Sequence, residues 1–128
     1  MVTCHAYTVN VEEQHSFSRY SQKETSEMAI LAIFTGKGVT SDMYDALKAE
    51  VDWVHQQPQG AISHTASFDE AGDAHVADVW ASPEALDHFV NTRLAPAMQR
   101  LNIPLPDVTV YPVHNIDAYS GVQQFIRK

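Results

Sequence analysis

Two strand-like segments, 61–68 and 74–80, flank Glu70-Ala71-Gly72, and this symmetry constrains the fold more than any other stretch of the chain. A loop of hairpin length with a glycine available for positive φ predicts an antiparallel hairpin. Centring that hairpin on Ala71 sets His64 directly opposite Asp78 and Ile62 opposite Trp80. A slip of one residue would send these side chains to different faces. A helix start follows at once: Ser82 is a capping residue, Pro83 suits the first helical position, and Glu84 places an acid in the first turn. The helix it opens is expected to bury Ala85, Leu86, Phe89 and Val90, with Leu94 and Met98 beyond. Pro96 should kink it or restart a turn.

The flanks repeat the theme. Ala29-Ile30-Leu31-Ala32-Ile33-Phe34 is a continuous apolar run of strand length that ends at Gly36-Lys37-Gly38, which reads as a central strand. Thr40 or Ser41 can cap a first helix predicted over 41–56, with Met43, Leu47, Val51 and Val54 as its apolar stripe and Pro58 and Gly60 as its stop. After the second helix, Ile103-Pro104-Leu105-Pro106 is a stiff connector to a last strand over 108–114. The order strand, helix, strand, strand, helix, strand predicts an α+β, ferredoxin-like βαββαβ domain over 28–119. Its four-stranded antiparallel sheet carries two helices on one face. Residues 1–27 read as a polar arm held along a sheet edge or over a partner subunit, and 120–128 as a polar tail. The uncovered sheet face, with Ala77, Val79, Tyr111 and Val113 as candidates, would expose an apolar patch, so a homodimer formed through the sheets is expected.

Charge narrows the partners. The 128 residues carry a formal charge of −8 with no local Lys/Arg cluster, which disfavours nucleic acid and anionic membrane surfaces. A single cysteine, Cys4, has no second thiol for a disulfide or a metal pair, and fits a cytoplasmic setting. No apolar stretch reaches membrane-spanning length, and the first residues lack the basic and apolar regions of a signal peptide.

Chemistry concentrates on one face of the hairpin. Strand alternation puts Ile62, His64, Ala66 and Phe68 together, with Asp78 and Trp80 across from them. A carboxylate that orients an imidazole makes a general base near neutral pH, and an adjacent indole can stack a planar substrate. The plain alternative is a buried polar pair that satisfies itself beneath the helices. His64 and Asp78 are thus the candidate catalytic pair, and Trp80, Tyr44, His114 and Phe68 the candidate substrate pocket. His114 enters by its place at the end of the last strand, where side chains often meet a cleft mouth, although it could equally be solvated there. Trp53, like Tyr44 beside the apolar stripe of the first helix, is assigned to the core. His88 is read as a surface residue, and His55 as a histidine favoured by the helix C-terminus. Seven histidines raise the question of a metal, yet no His-x-x-x-His or Cys-x-x-Cys spacing occurs, and no metal or cofactor is expected. Gly36-Lys37-Gly38 lacks what a phosphate-binding loop needs.

Residues 28–119 resemble the dimeric α+β barrel superfamily. Asp78-Val79-Trp80-Ala81-Ser82-Pro83-Glu84-Ala85-Leu86 is similar to the strand-to-helix junction of antibiotic-biosynthesis monooxygenase-like domains. Asp78-Val79-Trp80-x-Ser82, His64 and Pro112-Val113-His114-Asn115 resemble small uncharacterised bacterial proteins of that group. The resemblance implies a small-molecule site and a choice of chemistries: cofactor-free oxygenation of phenols and quinols, haem degradation, lactone isomerisation or aldoxime dehydration. Trp80 matches the junction tryptophan of the haem-degrading branch, but Phe89 stands where monooxygenase-like members often carry a histidine, and His88 lies off that face. The expected function is binding of an aromatic or quinone-like molecule, with cofactor-independent monooxygenation as its chemistry. The alternative is a non-catalytic dimeric ligand-binding or scaffold module.

Overall fold

A computed structural model describes residues 28–127, so the expected N-terminal arm over 1–27 lies outside the described residues. Strand β1, Ile30–Gly36, is the central apolar run of the sequence and alternates buried and open positions along its length. It pairs antiparallel with β3, Ala74–Trp80, on one side and β4, Asp107–Pro112, on the other. Strand β2, Ala61–Phe68, adds to the free edge of β3, giving the order β2-β3-β1-β4 of a ferredoxin-like sheet. The hairpin has the expected centre: Phe68 faces Ala74, and His64 faces Asp78. Near its open end the register shifts between Ala61 and Ser63, so Ala61 rather than Ile62 lies opposite Trp80. Ile62 is the extra residue of that bulge and is exposed, which corrects its expected pairing.

One face of the sheet is the core face. Ile30, Ala32 and Phe34 of β1, Ala74 and Trp80 of β3 and Val110 of β4 are all buried there. Helix α1, Ser41–Val51, starts where Thr40 accepts a hydrogen bond from the Met43 amide, and packs Leu47 and Val51 inward. It stops well before the expected Gln56. Asp52 takes the left-handed conformation, φ 59°, which aspartate tolerates better than most side chains, and its amide closes on the Lys48 carbonyl. The carbonyls left open at this end find a distant partner, because Arg93 Nη2 donates to the carbonyls of Val51 at 3.0 Å and Gln56 at 2.8 Å. The turn between them is therefore pinned, and it carries Trp53.

Helix α2, Pro83–Phe89, begins as expected, with Ser82 accepting from the Ala85 amide and Pro83 in the first turn. Pro96 acts by restarting a turn. A proline cannot donate to the carbonyl four residues back and crowds it. The chain widens into a π-type turn over Val90–Leu94, closed by the Ala95 amide on the Val90 carbonyl, before α3 runs from Ala95–Arg100. Ala97 and Met98 of α3 return to the core.

The last strand ends at Pro112, which offers no amide to the ladder, and Val113 makes one further bond to the Ala29 carbonyl. The expected strand over 108–114 is shorter for that reason. A 3-10 helix, Ser120–Phe125, follows, and Lys48 Nζ donates to the Arg127 carbonyl at 3.2 Å. The tail thus comes back beside α1. Expected as polar, it also holds exposed Val122, Phe125 and Ile126. On the sheet face away from the helices, Leu31 lies between Val79 and Tyr111, and Ile33 and Tyr111 are exposed.

Candidate functional site

A cleft of about 390 Å³ lies between the core face of the sheet and the helices, near the lower end of the roughly 300–1,000 Å³ typical of small-molecule sites. Most of its lining is apolar. Phe34 and Val76 come from the sheet, Leu47 from α1, and Phe89, Leu94 and Met98 from the helical layer beyond the hairpin. Apart from Gln57 and Ser63, the polar part of the lining is one connected group. Asp78, only 7% exposed, takes His64 Nδ1 on Oδ1 at 2.7 Å and the Trp80 indole N–H on Oδ2 at 3.1 Å. His64 Nε2 meets the Tyr44 hydroxyl at 2.7 Å. Three elements contribute: α1 gives Tyr44, β2 gives His64, and β3 gives Asp78 and Trp80.

The hairpin explains half of this arrangement. His64 and Asp78 are cross-strand neighbours, and Trp80 is two residues beyond Asp78 on the same face, so one carboxylate can reach both donors. The bulge at Ile62 falls just outside the pair and leaves it in register. A buried carboxylate with a donor on each oxygen is satisfied, which the apolar surroundings demand. Trp80, 3% exposed, also packs on Phe89 with ring centroids 5.3 Å apart, while Arg93 sits over the other ring at 5.3 Å from the Phe89 centroid.

Aromatic rings frame the imidazole. Tyr44 lies nearly parallel to His64, with 6° between the planes, and Trp53 approaches His64 to 5.3 Å between centroids. Phe68 meets Tyr44 edge-on at 5.8 Å but does not itself line the cleft. Of the residues selected from the sequence, the structure brings together Tyr44, His64, Asp78 and Trp80, with Phe68 behind Tyr44. His114 is not among them. The strand stops at Pro112, and His114 is an exposed residue of the segment beyond, away from the cleft lining.

Trp53 has a second role that sequence reasoning missed. It packs against the core as expected, and the end of the helix at Asp52 also sets Trp53 and Val54 on the cleft wall. The available signal was Asp52 itself, since aspartate favours helix ends and left-handed turns over helix interiors.

Solved structures resemble the chain, although no family model and no curated protein matches it. A protein of unknown function from Nitrosomonas europaea is 13% identical with a TM-score of 0.57, over 75% of this chain and 99% of that one. A protein from Shewanella oneidensis is 14% identical at a TM-score of 0.52, over 68% and 92%. SnoaB, a cofactor-independent oxygenase from Streptomyces nogalater, is 13% identical at a TM-score of 0.50, over 70% and 94%. The chain has the ferredoxin-like α+β fold of these proteins. At such identities the likeness concerns the fold, and the cleft has to be read from its own residues.

Among the described residues, no group of three His, Cys, Asp or Glu side chains could hold a metal ion, and His75 faces away from the cleft in a pair with Asp69 at 2.8 Å. No helix among them is long and apolar enough to cross a membrane. The strongest electrostatic effect is on Tyr44. Burial pushes its hydroxyl up from 10.0 to about 12, the Asp78 and Asp45 carboxylates push the same way, and the Arg127 guanidinium opposes them. A phenol harder to ionise in the fold than in the unfolded chain stabilises the fold below about pH 10. That contribution is lost as the pH rises through about 12. Ultraviolet titration of the phenolate band should show one of the five tyrosines ionising last, near pH 12, and Tyr44→Phe should remove that late step. Five tyrosines ionising together near their ordinary value would contradict the burial described.

Proposed function

We propose that the cleft binds a small, planar aromatic or quinone-like molecule and oxidises it with molecular oxygen, without a metal or organic cofactor. The observation that carries this reading is the hydrogen-bonded run from Trp80 through Asp78 to His64, set in the wall of a largely apolar, aromatic-lined cleft. Asp78 orients the imidazole with Nδ1–H toward itself, which leaves Nε2 as the acceptor that a general base requires. Trp80, Trp53 and Tyr44 supply flat walls against which a ring can lie. The fold shared with a cofactor-independent oxygenase supports the same choice.

The chemistry balances with oxygen as the second substrate. Loss of a phenolic proton toward His64 raises the electron density of the ring. The ring carbon para to the oxygen then bonds to oxygen, which is reduced to a hydroperoxide on that carbon. Loss of water, with the proton returned by the imidazolium, leaves the quinone. The imidazolium formed on His64, held against Asp78, is the counter-charge of the anion in the cleft. His64→Ala should reduce oxygen uptake on such a phenol by about a hundredfold or more, in the range of a lost general base. Circular dichroism should be unchanged, because His64 is on an edge strand and 34% exposed. Oxygen uptake equal to that of the natural chain would remove His64 from the reaction, and unfolding would favour a purely structural His64–Asp78 pair.

The homodimer is part of the proposal. Leu31, Ile33, Val79 and Tyr111 form a continuous apolar strip on the sheet face that the helices leave open, and covering it with a second copy would remove that strip from water. Sedimentation at micromolar concentration should show a dimer; a stable monomer would rule out sheet-to-sheet pairing. A cytoplasmic setting belongs to the same reading and rests on the lone Cys4.

A further inference from the structure

The geometry points to Tyr44 as the group that meets the ligand, and to an uncharged aromatic bearing a hydroxyl, which donates its hydrogen to the Tyr44 oxygen, as the ligand class. This deepens the reading above and rests on it for the location of the site.

The direction of each hydrogen bond follows from what the groups can do. Trp80 can only donate, so Asp78 Oδ2 accepts. Asp78 as a carboxylate accepts on Oδ1 as well, which fixes the proton of the neutral imidazole on Nδ1 and leaves Nε2 bare. The Tyr44 hydroxyl, 2.7 Å away, must then donate to Nε2. Its single hydrogen is committed, and burial together with Asp78 and Asp45 holds that hydrogen on. What remains on the phenol oxygen is acceptor capacity, and no described protein group donates to it. A side chain that lines an apolar cleft, has its donor engaged and its acceptor vacant, selects a partner that brings a hydrogen.

The rest of the lining narrows the class further. Among the described residues no Lys or Arg lines the cleft, while Asp78 does, so a carboxylate or phosphate on the ligand would meet no cation of that lining and face a charge of its own sign. Arg127 and Lys48 stand outside that lining, joined by the Lys48 bond to the Arg127 carbonyl. A neutral hydroxylated ring fits where an aromatic acid does not.

The same arrangement gives the proton a route. As the ligand O–H breaks, its proton bonds to the Tyr44 oxygen while the proton of Tyr44 passes to His64 Nε2. Tyr44 ends neutral, as it began; the ligand becomes a phenolate, and His64 an imidazolium held against Asp78. No electrons are transferred in this step, so it can be tested without oxygen.

Calorimetric titration with naphthol and with its methyl ether under anaerobic conditions tests the assignment. The ether has the same rings but no hydrogen to give. Naphthol should bind the natural chain about tenfold more tightly than the ether, the worth of one neutral hydrogen bond. Tyr44→Phe should erase the preference by weakening naphthol alone. His64→Ala should also erase it, but by strengthening the ether, because a Tyr44 hydroxyl freed from Nε2 can donate to the ether oxygen. Equal binding of both probes to the natural chain overturns the role of Tyr44 and leaves the aromatic cleft standing, as does a preference that survives in Tyr44→Phe. Binding of neither probe overturns the cleft itself, and the proposed oxygenation with it.

Discussion

Truncating Trp80 to alanine should lower the unfolding free energy by about 3–5 kcal/mol, the range for removing a large buried aromatic side chain. The side chain is 3% exposed, packs against Phe89, and supplies the donor for Asp78 Oδ2. Its loss enlarges the cleft and leaves a buried carboxylate oxygen without a protein partner, so the upper half of that range is expected. In urea the midpoint should fall while the slope stays near that of the natural chain, because the surface exposed on unfolding changes little. Trp80→Phe separates the two contributions. It keeps most of the packing and removes only the indole N–H, and should cost about 1–3 kcal/mol. A loss below about 1 kcal/mol for the alanine variant would mean that Trp80 does not pack the cleft floor as described.

A comparable loss is expected at Gly60, for a different reason. Gly60 begins the chain's approach to β2 at φ +86°, and a Cβ there would lie 2.6 Å from the Ala85 Cβ on α2. The Gly60 carbonyl also accepts the Ala81 amide at 2.7 Å, so this backbone cannot retreat without breaking the junction between β3 and α2. Backbone strain of about 1–3 kcal/mol is expected from the left-handed conformation alone, and overpacking against a rigid helix should add a further 1–3 kcal/mol. Gly72 is the control. It has φ +90° with nothing within 4 Å of a built Cβ, so Gly72→Ala carries only the backbone cost. The difference between the two alanine variants in thermal or urea unfolding therefore measures the contact with Ala85. If Gly60→Ala proves no worse than Gly72→Ala, α2 does not press on this turn.

These two sites also show which features were legible in the sequence. The pairing of His64 with Asp78 could be read because a short loop with Gly72 fixes the register of a hairpin, and register fixes every cross-strand neighbour. The start of α2 could be read because Ser82, Pro83 and Glu84 each meet a local requirement of the first turn. The features that were missed depend on non-local effects. Trp53 reached the cleft because Asp52 ended α1 early and Arg93, forty-two residues away from Val51, held the following turn. No periodicity in 41–56 contains that information. Ile62 left its expected partner through a bulge, and His114 lost its strand because Pro112 cannot extend the ladder. Tyr44 was selected as pocket lining from its place beside the stripe of α1, but the 2.7 Å bond to His64 could be seen only once α1 was laid across β2.

The π-type turn at Val90–Leu94 bears on how this cleft wall could change by insertion or deletion. A wide turn holds one more residue than an α-helical path between the same ends, so losing a single residue there would tighten it toward that path, with Pro96 still withholding one amide, and leave the topology intact. Each residue of an α-helix advances the direction of its side chains by about 100°. Phe89 before the turn and Met98 after it would keep their orientation, while side chains inside it, Leu94 among them, would be redirected on the cleft wall. A one-codon deletion could thus reshape the ligand space without touching Tyr44, His64, Asp78 or Trp80. The segment offers a route by which chains of this fold can diverge in what they accept while the hydrogen-bonded run beneath stays in place.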